Sequence, residues 1–278
     1  MHVSAVLFDL DKTLFDHVHS LHQALMSCRA SFEELQPFSP AQLAEAYCRG
    51  HDRAYAKHIS GEITIQQTDV VKVKLFYKYL GLAEPRSRWV RDEFRRIYKP
   101  AYRDSRRAVA GSKDMLRTLR AHGKKVGVVT NGDHSEQMNK IEILGLAELL
   151  DCVVTSGELG YSKPDMRIFQ HALVKLNVQR SETVMVGDSV QADVKGAIAA
   201  GFASVFLFAP EAHEDVREVF GCKVPVLRSM GDLLSHLELE SGAQVISGDG
   251  RPSAAGAEDT SAGAEPPHTV ASSLEKLS

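Results

Sequence analysis

The apolar positions of the chain fall into short runs rich in β-branched residues, and such runs predict buried strands. The runs occupy residues 3–8, 125–130, 152–155, 183–186 and 204–208. Amphipathic stretches alternate with the later runs, and several of them stop at a glycine, as helices often do. These stretches occupy residues 112–122, 134–144, 165–176 and 190–200. Alternating strands and helices are typical of βαβ units, so the pattern predicts an α/β fold with a doubly wound parallel sheet.

A long segment interrupts this alternation after the first predicted strand. It shows helical periodicity and little strand character, and it is punctuated by Pro37, Pro40, Gly61, Pro85 and Pro100. The simplest interpretation is a helical insert in residues 16–107. The α/β core would then comprise residues 1–15 and 108–239.

The last part of the chain, residues 240–278, differs in composition from the rest. Twenty-four of these 39 residues are Ala, Gly, Ser, Pro or Thr, and none is aromatic. Such a segment buries too little apolar surface to offset the entropy lost on ordering. We therefore expect a disordered tail.

The overall composition is that of an ordinary globular protein, with 44% hydrophobic and 25% charged residues. The net charge of −3 gives no basic field that would attract a nucleic acid polymer. No apolar run approaches the roughly 20 residues of a membrane helix, and acids interrupt the first run, which argues against a leader peptide. Four scattered cysteines without a CxxC pair indicate reduced thiols and predict a cytoplasmic location. The sequence leaves the oligomeric state open.

Polar residues stand where the predicted strands end. Asp9 and Asp11 follow the first strand, and Asp188 follows the fourth. Because the carboxyl ends of parallel strands share one edge of a sheet, we expect these acids to converge. Converging carboxylates repel one another unless a divalent cation lies between them. An all-oxygen ligand set suits Mg²⁺ better than zinc, so Mg²⁺ is the expected cofactor.

Other residues at the same edge are hydrogen-bond donors suited to a phosphate. Thr130 ends the second strand, the Asn131-Gly132 turn offers backbone N–H groups, and Lys163 precedes a predicted helix. Such a site suits phosphoryl transfer, in which a carboxylate attacks phosphorus while cations neutralise the phosphoryl oxygens. The expected partner is therefore a small-molecule phosphate ester.

Four short motifs carry a resemblance to a known family. The stretches DLDKTL, TNG, SKP and GDSVQAD, in this order, resemble the four motifs of the haloacid dehalogenase-like hydrolase superfamily. The resemblance covers the predicted core and implies a Rossmann-like domain. The helical insert resembles the cap that members of this superfamily carry after the first motif.

The resemblance implies roles for the acids. Asp9 would be the nucleophile that forms an aspartyl-phosphate. Asp11 would be the general acid for the leaving alcohol, then the base for the hydrolytic water, and would bind the metal through its backbone carbonyl. Asp188 would bind the metal beside Asp9. An acid at position 11 favours a phosphatase over a metal-free dehalogenase.

The resemblance also implies roles for the neighbouring polar residues. Thr130, Asn131 and Lys163 would hold the phosphoryl group. Ser189 and Asp193 would orient the metal ligands, the water or Lys163.

A longer resemblance narrows the class of substrate. The core is similar to the subgroup that holds N-acylneuraminate 9-phosphate phosphatases and pyrimidine nucleotide 5′-phosphatases. It implies a Mg²⁺-dependent phosphatase acting on a sugar phosphate, a sialic-acid phosphate or a nucleoside monophosphate. The alternatives are a phosphate mutase, a phosphoanhydride hydrolase, and a catalytically silent interaction module of the same fold.

Two further patterns have an ordinary interpretation beside a functional one. His17, His19 and His22 lack further ligands at matching spacing, so we expect solvated or substrate-facing histidines rather than a metal site. A second pattern is a helical row of cations, which predicts a solvated helix face; attraction of an anionic ester to the cap is the alternative. This row consists of Arg88, Arg91, Arg95 and Lys99.

Overall fold

The computed structural model describes residues 2–85 and 88–239, and in this part of the chain seven strands form one sheet. The predicted disordered tail lies outside the described residues. The strands are β1 (Ala5–Phe8), β2 (Lys125–Thr130), β3 (Cys152–Thr155), β4 (Thr183–Gly187), β5 (Ser204–Phe208), β6 (Val216–Val219) and β7 (Cys222–Leu227). Their order across the sheet is β3-β2-β1-β4-β5-β7-β6. All neighbours pair in parallel except β6 and β7, which form an antiparallel hairpin at one edge.

Ten α-helices belong to the same described residues. They are α1 (His17–Ser31), α2 (Pro40–Ile59), α3 (Ile65–Tyr79), α4 (Arg88–Asp104), α5 (Ser112–Ala121), α6 (His134–Ile143), α7 (Ser156–Leu159), α8 (Met166–Leu176), α9 (Lys195–Ala200) and α10 (Met230–His236). A π-helical turn, Val190–Val194, leads into α9. None of the described helices combines the length and apolar character that crossing a bilayer requires.

Helices cover the sheet on both faces. On one face Leu116 of α5, Ile141 of α6 and Leu233 of α10 join the apolar side chains of the strands. On the other face Phe169 of α8 and Ala197 of α9 do the same. Strand β1 lies in the middle and is buried throughout, as a parallel strand covered on both faces must be. The predicted doubly wound α/β fold is confirmed.

The segment between β1 and α5 forms helices, as its periodicity predicts. Helices α1–α4, hereafter the helical cap, pack around an apolar cluster of their own. Phe76 of α3 and Phe94 of α4 lie at its centre, with ring centroids 5.5 Å apart. Ser39 begins α2 with a capping box that includes Gln42, an arrangement that satisfies backbone donors left free at a helix start.

The two crossings between the core and the helical cap run side by side. The Asp16 N–H donates to the Arg107 carbonyl at 3.0 Å, and the Val109 N–H donates to the Leu14 carbonyl at 2.9 Å. The Arg107 guanidinium also pairs with the Asp16 carboxylate at 2.8 Å. Entry to the cap and return from it are therefore held at one point.

The edge hairpin β6–β7 is the main element that the hydrophobic pattern does not predict. Strand β6 has a single buried residue, Val219, so it lacks the apolar run of a core strand. Strand β7 contains Pro225, and a proline argues against a strand unless that strand lies at an edge or bulge. The predicted helix over 190–200 is also more irregular than expected, because its first half is the π-helical turn.

Candidate active site

The carboxyl ends of three adjacent strands bring the predicted polar residues together. Asp9 follows β1, Thr130 ends β2 and Asp188 follows β4. Strand β1 lies between the other two in the sheet, so Asp9 occupies the middle of the edge. This edge is where an open α/β sheet binds its ligands.

Lys163 reaches Asp9 from the loop before α8. Its Nζ lies 2.6 Å from Asp9 Oδ1, 2.7 Å from Asp193 Oδ1 and 2.7 Å from the Val129 carbonyl oxygen. These three acceptors match the three hydrogens of the ammonium group, so the buried cation is fully satisfied. The other Asp9 oxygen is 3.4 Å from the Thr13 hydroxyl, which donates to it. The lysine thus fixes one carboxylate oxygen and leaves the second more open.

Three acids meet around this lysine. Asp9, Asp188 and Asp193 each offer a carboxylate oxygen, and these oxygens lie within 4.8 Å of one another. Burial, and then the neighbouring Asp193, raise the pKa of Asp188 to about 6. Burial also raises the pKa of Asp9, although Lys163 opposes this effect. Lys163 pairs with two of the three carboxylates, so negative charge is in excess in a largely buried place.

The pKa of Lys163 reflects the same excess of negative charge. Burial alone would lower the pKa of Lys163, but Asp193 and Asp9 raise it above its ordinary value. The excess of anionic oxygen ligands is the environment that a hard divalent cation such as Mg²⁺ prefers. On this donor set, the residues fit the expected cofactor.

Asp193 is held in place by the turn that precedes α9. It is 1% exposed, and its second oxygen accepts from the Ser189 N–H at 2.9 Å. The Ser189 hydroxyl accepts from the Ala192 N–H, so Ser189 caps the same turn. A Cβ at Gly187 would lie 2.3 Å from the Asp193 Cγ, so the end of β4 must be glycine for the carboxylate to fit.

Asn131 fixes the backbone of the lysine loop. Its Oδ1 accepts from the Lys163 N–H at 2.8 Å, and its Nδ2 donates to the Lys163 carbonyl at 3.1 Å. The Gly132 N–H donates to the Ser156 hydroxyl at 2.9 Å, so this predicted phosphate donor has a protein acceptor. The Asn131 side chain therefore connects the end of β2 to Lys163.

The Asp11 carboxylate has its own partners. Its oxygens lie 2.6 Å and 2.8 Å from Lys140 Nζ, and Gln137 Nε2 donates to Oδ2 at 3.0 Å. Burial alone would raise the pKa of Asp11, but Lys140 and Gln137 lower it below its ordinary value. Sequence reasoning missed both α6 residues. Their one signal is a three-residue spacing on the helix that follows the TNG motif.

His17 stands at the mouth of the site, where the helical cap begins. Its Nδ1 shares a hydrogen bond of 2.6 Å with the Tyr102 hydroxyl of α4. Burial lowers the pKa of His17 to about 4, against the opposing effect of Asp11, so the imidazole is neutral at pH 7. The three-acid group contains no histidine, and no second group of three potential ligands occurs among the described residues.

The row of cations on α4 faces an acid of α3. Arg95 and Lys99 contact the Asp69 carboxylate at 3.0 Å and 3.1 Å, and Lys72 joins them at 3.1 Å. We call these four residues the Asp69 cluster. Arg91 lies beyond it and donates to the Pro85 carbonyl.

Comparison with known proteins identifies the family to which this chain is similar. Residues 3–201 match the sequence model described as "Hydrolase: haloacid dehalogenase-like hydrolase". A ribulose-1,5-bisphosphate 5-phosphatase from Halopiger xanaduensis is 31% identical over 216 residues, which are 77% of this chain and 88% of that protein. The pyrimidine 5′-nucleotidase YjjG from Escherichia coli is 38% identical over a shorter match, 35% of this chain and 43% of its own length.

A solved structure shows the same fold. The HAD-hydrolase YfnB from Bacillus subtilis, in a crystal structure bound to magnesium, superposes with a TM-score of 0.66. The match covers 86% of this chain and 100% of that one at 20% sequence identity. At this identity the likeness concerns the fold alone.

Proposed function

The chain belongs to the haloacid dehalogenase-like hydrolase family and is a phosphoric monoester hydrolase of it, and we propose that it acts through Asp9 on a small phosphate ester. One observation carries this proposal. A nearly buried aspartate at the middle of the sheet edge has one oxygen fixed by Lys163 and lies among excess carboxylate charge. A phosphate ester supplies phosphorus for that aspartate to attack and oxygens for the lysine to neutralise.

The first step transfers the phosphoryl group to the protein. The charge of Lys163 and the hydroxyl of Thr130 stabilise phosphoryl oxygens while an Asp9 oxygen attacks phosphorus. The bond between phosphorus and the ester oxygen breaks, and the leaving oxygen takes a proton from Asp11. The products are an alcohol and an aspartyl-phosphate at Asp9.

The second step returns Asp9 to its starting form. Asp11, now a carboxylate, takes a proton from a water molecule, and that water attacks phosphorus. The bond between phosphorus and the Asp9 oxygen breaks, and inorganic phosphate leaves. Lys140 and Gln137 bond to the Asp11 carboxylate and hold it in place for this proton transfer, and the proton that Asp11 gains serves the leaving oxygen of the next cycle.

Mg²⁺ is the proposed cofactor. Asp9 and Asp188, with the backbone carbonyl of Asp11, would hold it, and Asp193 lies close enough to orient this set. When bound, the ion would offset the charge of the carboxylates and the phosphate.

The helical cap is proposed to close over the substrate and to exclude bulk water. The relatives are named for a sugar bisphosphate and for pyrimidine nucleotides, so small phosphorylated metabolites are the substrate class that we propose. Sugar phosphates, sialic-acid phosphate and nucleoside monophosphates are the first candidates. The residues that select among them would lie on the cap side, near His17 and Tyr102.

The test uses the purified full chain with p-nitrophenyl phosphate, with and without Mg²⁺, followed by a panel of phosphorylated metabolites. We expect Mg²⁺-dependent release of phosphate, and we expect Asp9→Asn to remove it while far-ultraviolet circular dichroism stays unchanged. Asp114→Asn is the matched control, because Asp114 is an exposed acid on α5. Normal turnover by Asp9→Asn would refute the nucleophile.

The same assays separate the alternatives. Isomerisation of a sugar phosphate without net phosphate release would identify a mutase. Preference for pyrophosphate over every monoester would identify a phosphoanhydride hydrolase. A wild-type chain with no turnover on any of these compounds would support the silent interaction module.

A further inference from the structure

Two residues of α6 contact the acid that transfers protons, and the family motifs do not include them. Gln137 and Lys140 are 2% and 7% exposed, which is unusual for polar residues of a helix at the protein surface. Their three-residue spacing places them on one face of α6. That face points at Asp11, and both side chains bond to it.

The partners of Gln137 determine how its amide is oriented. Its Nε2 lies 3.0 Å from Asp11 Oδ2, 3.3 Å from the Asn131 carbonyl oxygen and 2.6 Å from Thr130 Oγ1. A carboxylate and a carbonyl can only accept, so the atom that faces them must be the NH₂ group. The Thr130 oxygen therefore accepts as well. Its own hydrogen is then free to point at another acceptor, such as a phosphoryl oxygen.

Lys140 contacts Asp11 from the buried side of its carboxylate. Its Nζ contacts both carboxylate oxygens, and the ammonium also lies 5.4 Å from the centre of the Phe15 ring. The Lys140 side chain is 9% exposed, whereas the Asp11 side chain is 32% exposed. The lysine is thus buried behind the carboxylate, and one side of the carboxylate stays open toward the site.

Helix α6 begins immediately after the TNG motif, so it shares a rigid connection with the phosphate-binding end of β2. Gln137 joins Thr130 to Asp11 through a single amide group. The distance between the group that holds the phosphate and the group that protonates the leaving oxygen is therefore set by one turn of one helix. Positioning of this kind is worth much in catalysis, because small displacements of a proton donor slow proton transfer.

We propose that Gln137 and Lys140 are positioning residues that hold Asp11 in line with the leaving oxygen, and that Gln137 also turns the Thr130 hydroxyl toward the phosphate. This proposal rests on the proposed phosphatase function and deepens it. Neither residue would touch the phosphorus, the attacking oxygen or the leaving oxygen. Lys140 acts through Asp11, and Gln137 acts through Asp11 and Thr130.

The test compares two aryl phosphates whose leaving groups differ in how much they need a proton from a general acid. p-Nitrophenolate leaves readily as an anion, whereas phenolate benefits much more from a proton. The variants are Lys140→Met and Gln137→Met, which remove the polar contacts while keeping a long side chain. We expect the kcat/KM of phenyl phosphate to fall by about 100-fold, and that of p-nitrophenyl phosphate by less than about 10-fold, as for loss of a general acid.

A double-mutant cycle examines whether Lys140 acts through Asp11. In an Asp11→Asn background, Lys140→Met should change the kcat/KM of phenyl phosphate by less than about 3-fold, because the group that it positions is already lost. Lys140→Arg, which keeps a cation, should recover most of the activity that Lys140→Met loses. Lys223→Met, at an exposed lysine of β7, is the control for removal of a surface charge.

Equal losses on the two aryl phosphates in Lys140→Met would overturn the proposal, because Lys140 contacts Asp11 and not the group that holds the phosphate. Unchanged kinetics in both variants would overturn it too. If Lys140→Met does not fold, as judged by its thermal transition, Gln137→Met and Lys140→Arg carry the comparison. A wild-type protein that hydrolyses neither aryl phosphate would instead refute the phosphatase function itself, and this proposal with it.

Discussion

The acid group at the sheet edge and the Asp69 cluster of the helical cap are ionic groups of opposite composition. At the sheet edge, the ammonium of Lys163 pairs with Asp9 and Asp193, and an oxygen of Asp188 lies within 4.8 Å of theirs. In the cap, three cations surround the single carboxylate of Asp69. Each group has an excess of one charge, but the two lie in different surroundings.

The two groups differ in how deeply they are buried. The Lys163 and Asp193 side chains are 2% and 1% exposed, whereas those of Asp69 and Lys99 are 28% and 47% exposed. Water and salt screen the excess charge in the cap, so it needs no ligand. The buried excess at the sheet edge has no such screening. A buried imbalance of charge therefore indicates a place for a charged ligand, and an exposed one does not.

The pKa values of the two groups follow the same division. Burial raises the pKa of Asp9 and of Asp188, because too few cations compensate. Burial would also raise the pKa of Asp69, but Lys72 and Lys99 lower it to about 2. The carboxylate in the cap is stabilised as an anion, whereas burial disfavours ionisation of Asp9 and Asp188 at the sheet edge.

Removal of a cation should lower the free energy of unfolding much more at the sheet edge than in the Asp69 cluster. Lys163→Met leaves buried carboxylates without their cation, and we expect a loss of about 3–5 kcal/mol in the free energy of unfolding. Lys99→Met is the matched change in the cap, and it should cost at most about 1 kcal/mol. Urea unfolding of both variants measures the difference. Equal costs would contradict the distinction drawn from burial.

Addition of Mg²⁺ should stabilise one group and not the other. At about 100 times its dissociation constant, the ion should raise the free energy of unfolding by about 2.7 kcal/mol. Asp188→Asn should abolish this gain, whereas Asp69→Asn should keep it. Thermal unfolding with and without Mg²⁺ gives the result. A gain that survives Asp188→Asn would place the ion elsewhere.

A change of shape without a change of charge should also affect the acid group. Gly187→Ala places a methyl group on the Asp193 carboxylate, so it should cost about 1–3 kcal/mol and reduce turnover at least about 10-fold. Gly231→Ala in α10 is the control, because its nearest neighbour would be at an ordinary 3.6 Å. Phosphatase assays and urea unfolding of both variants provide the comparison. Full activity in Gly187→Ala would show that the position of Asp193 does not matter.

Acid should weaken the Asp69 cluster by a small amount. The folded-state pKa of Asp69 lies below its ordinary value of 3.8, so its contribution is present above that pH and is lost as the pH falls toward 2. After allowance for solvent screening, Asp69→Asn should cost about 1 kcal/mol at pH 7. Unfolding measurements at pH 7 and pH 3 should show the difference between the variant and the wild type decreasing. A difference that grows on acidification would reverse the sign.

The sequence predicts what depends on local periodicity and misses what depends on tertiary contact. The strands of the parallel core read as continuous apolar runs, because both of their faces are buried. The edge hairpin gave no such signal, since β6 faces solvent and β7 contains Pro225. The order of the motifs placed Asp9 and Asp188 at one edge of the sheet, because that edge follows from the topology.

Side-chain partners across elements were beyond the sequence. The contacts of Asp11 with Lys140 join residues 129 positions apart, and the spacing of Gln137 and Lys140 on their helix does not identify Asp11 as the partner. The cation row of α4 was visible as a helical spacing. Its acidic partner Asp69 was not, because that residue lies on another helix.

The paired crossings between core and cap have a consequence for how such a chain can change. Asp16 and Arg107 are hydrogen-bonded neighbours, so the helical cap leaves the α/β core and returns to it at one place. A segment of different length or helix number could be inserted at that place without changing the order of the strands in the sheet. A chimera that carries a relative's insert should therefore inherit the donor's choice of ester, while the chemistry stays with the recipient.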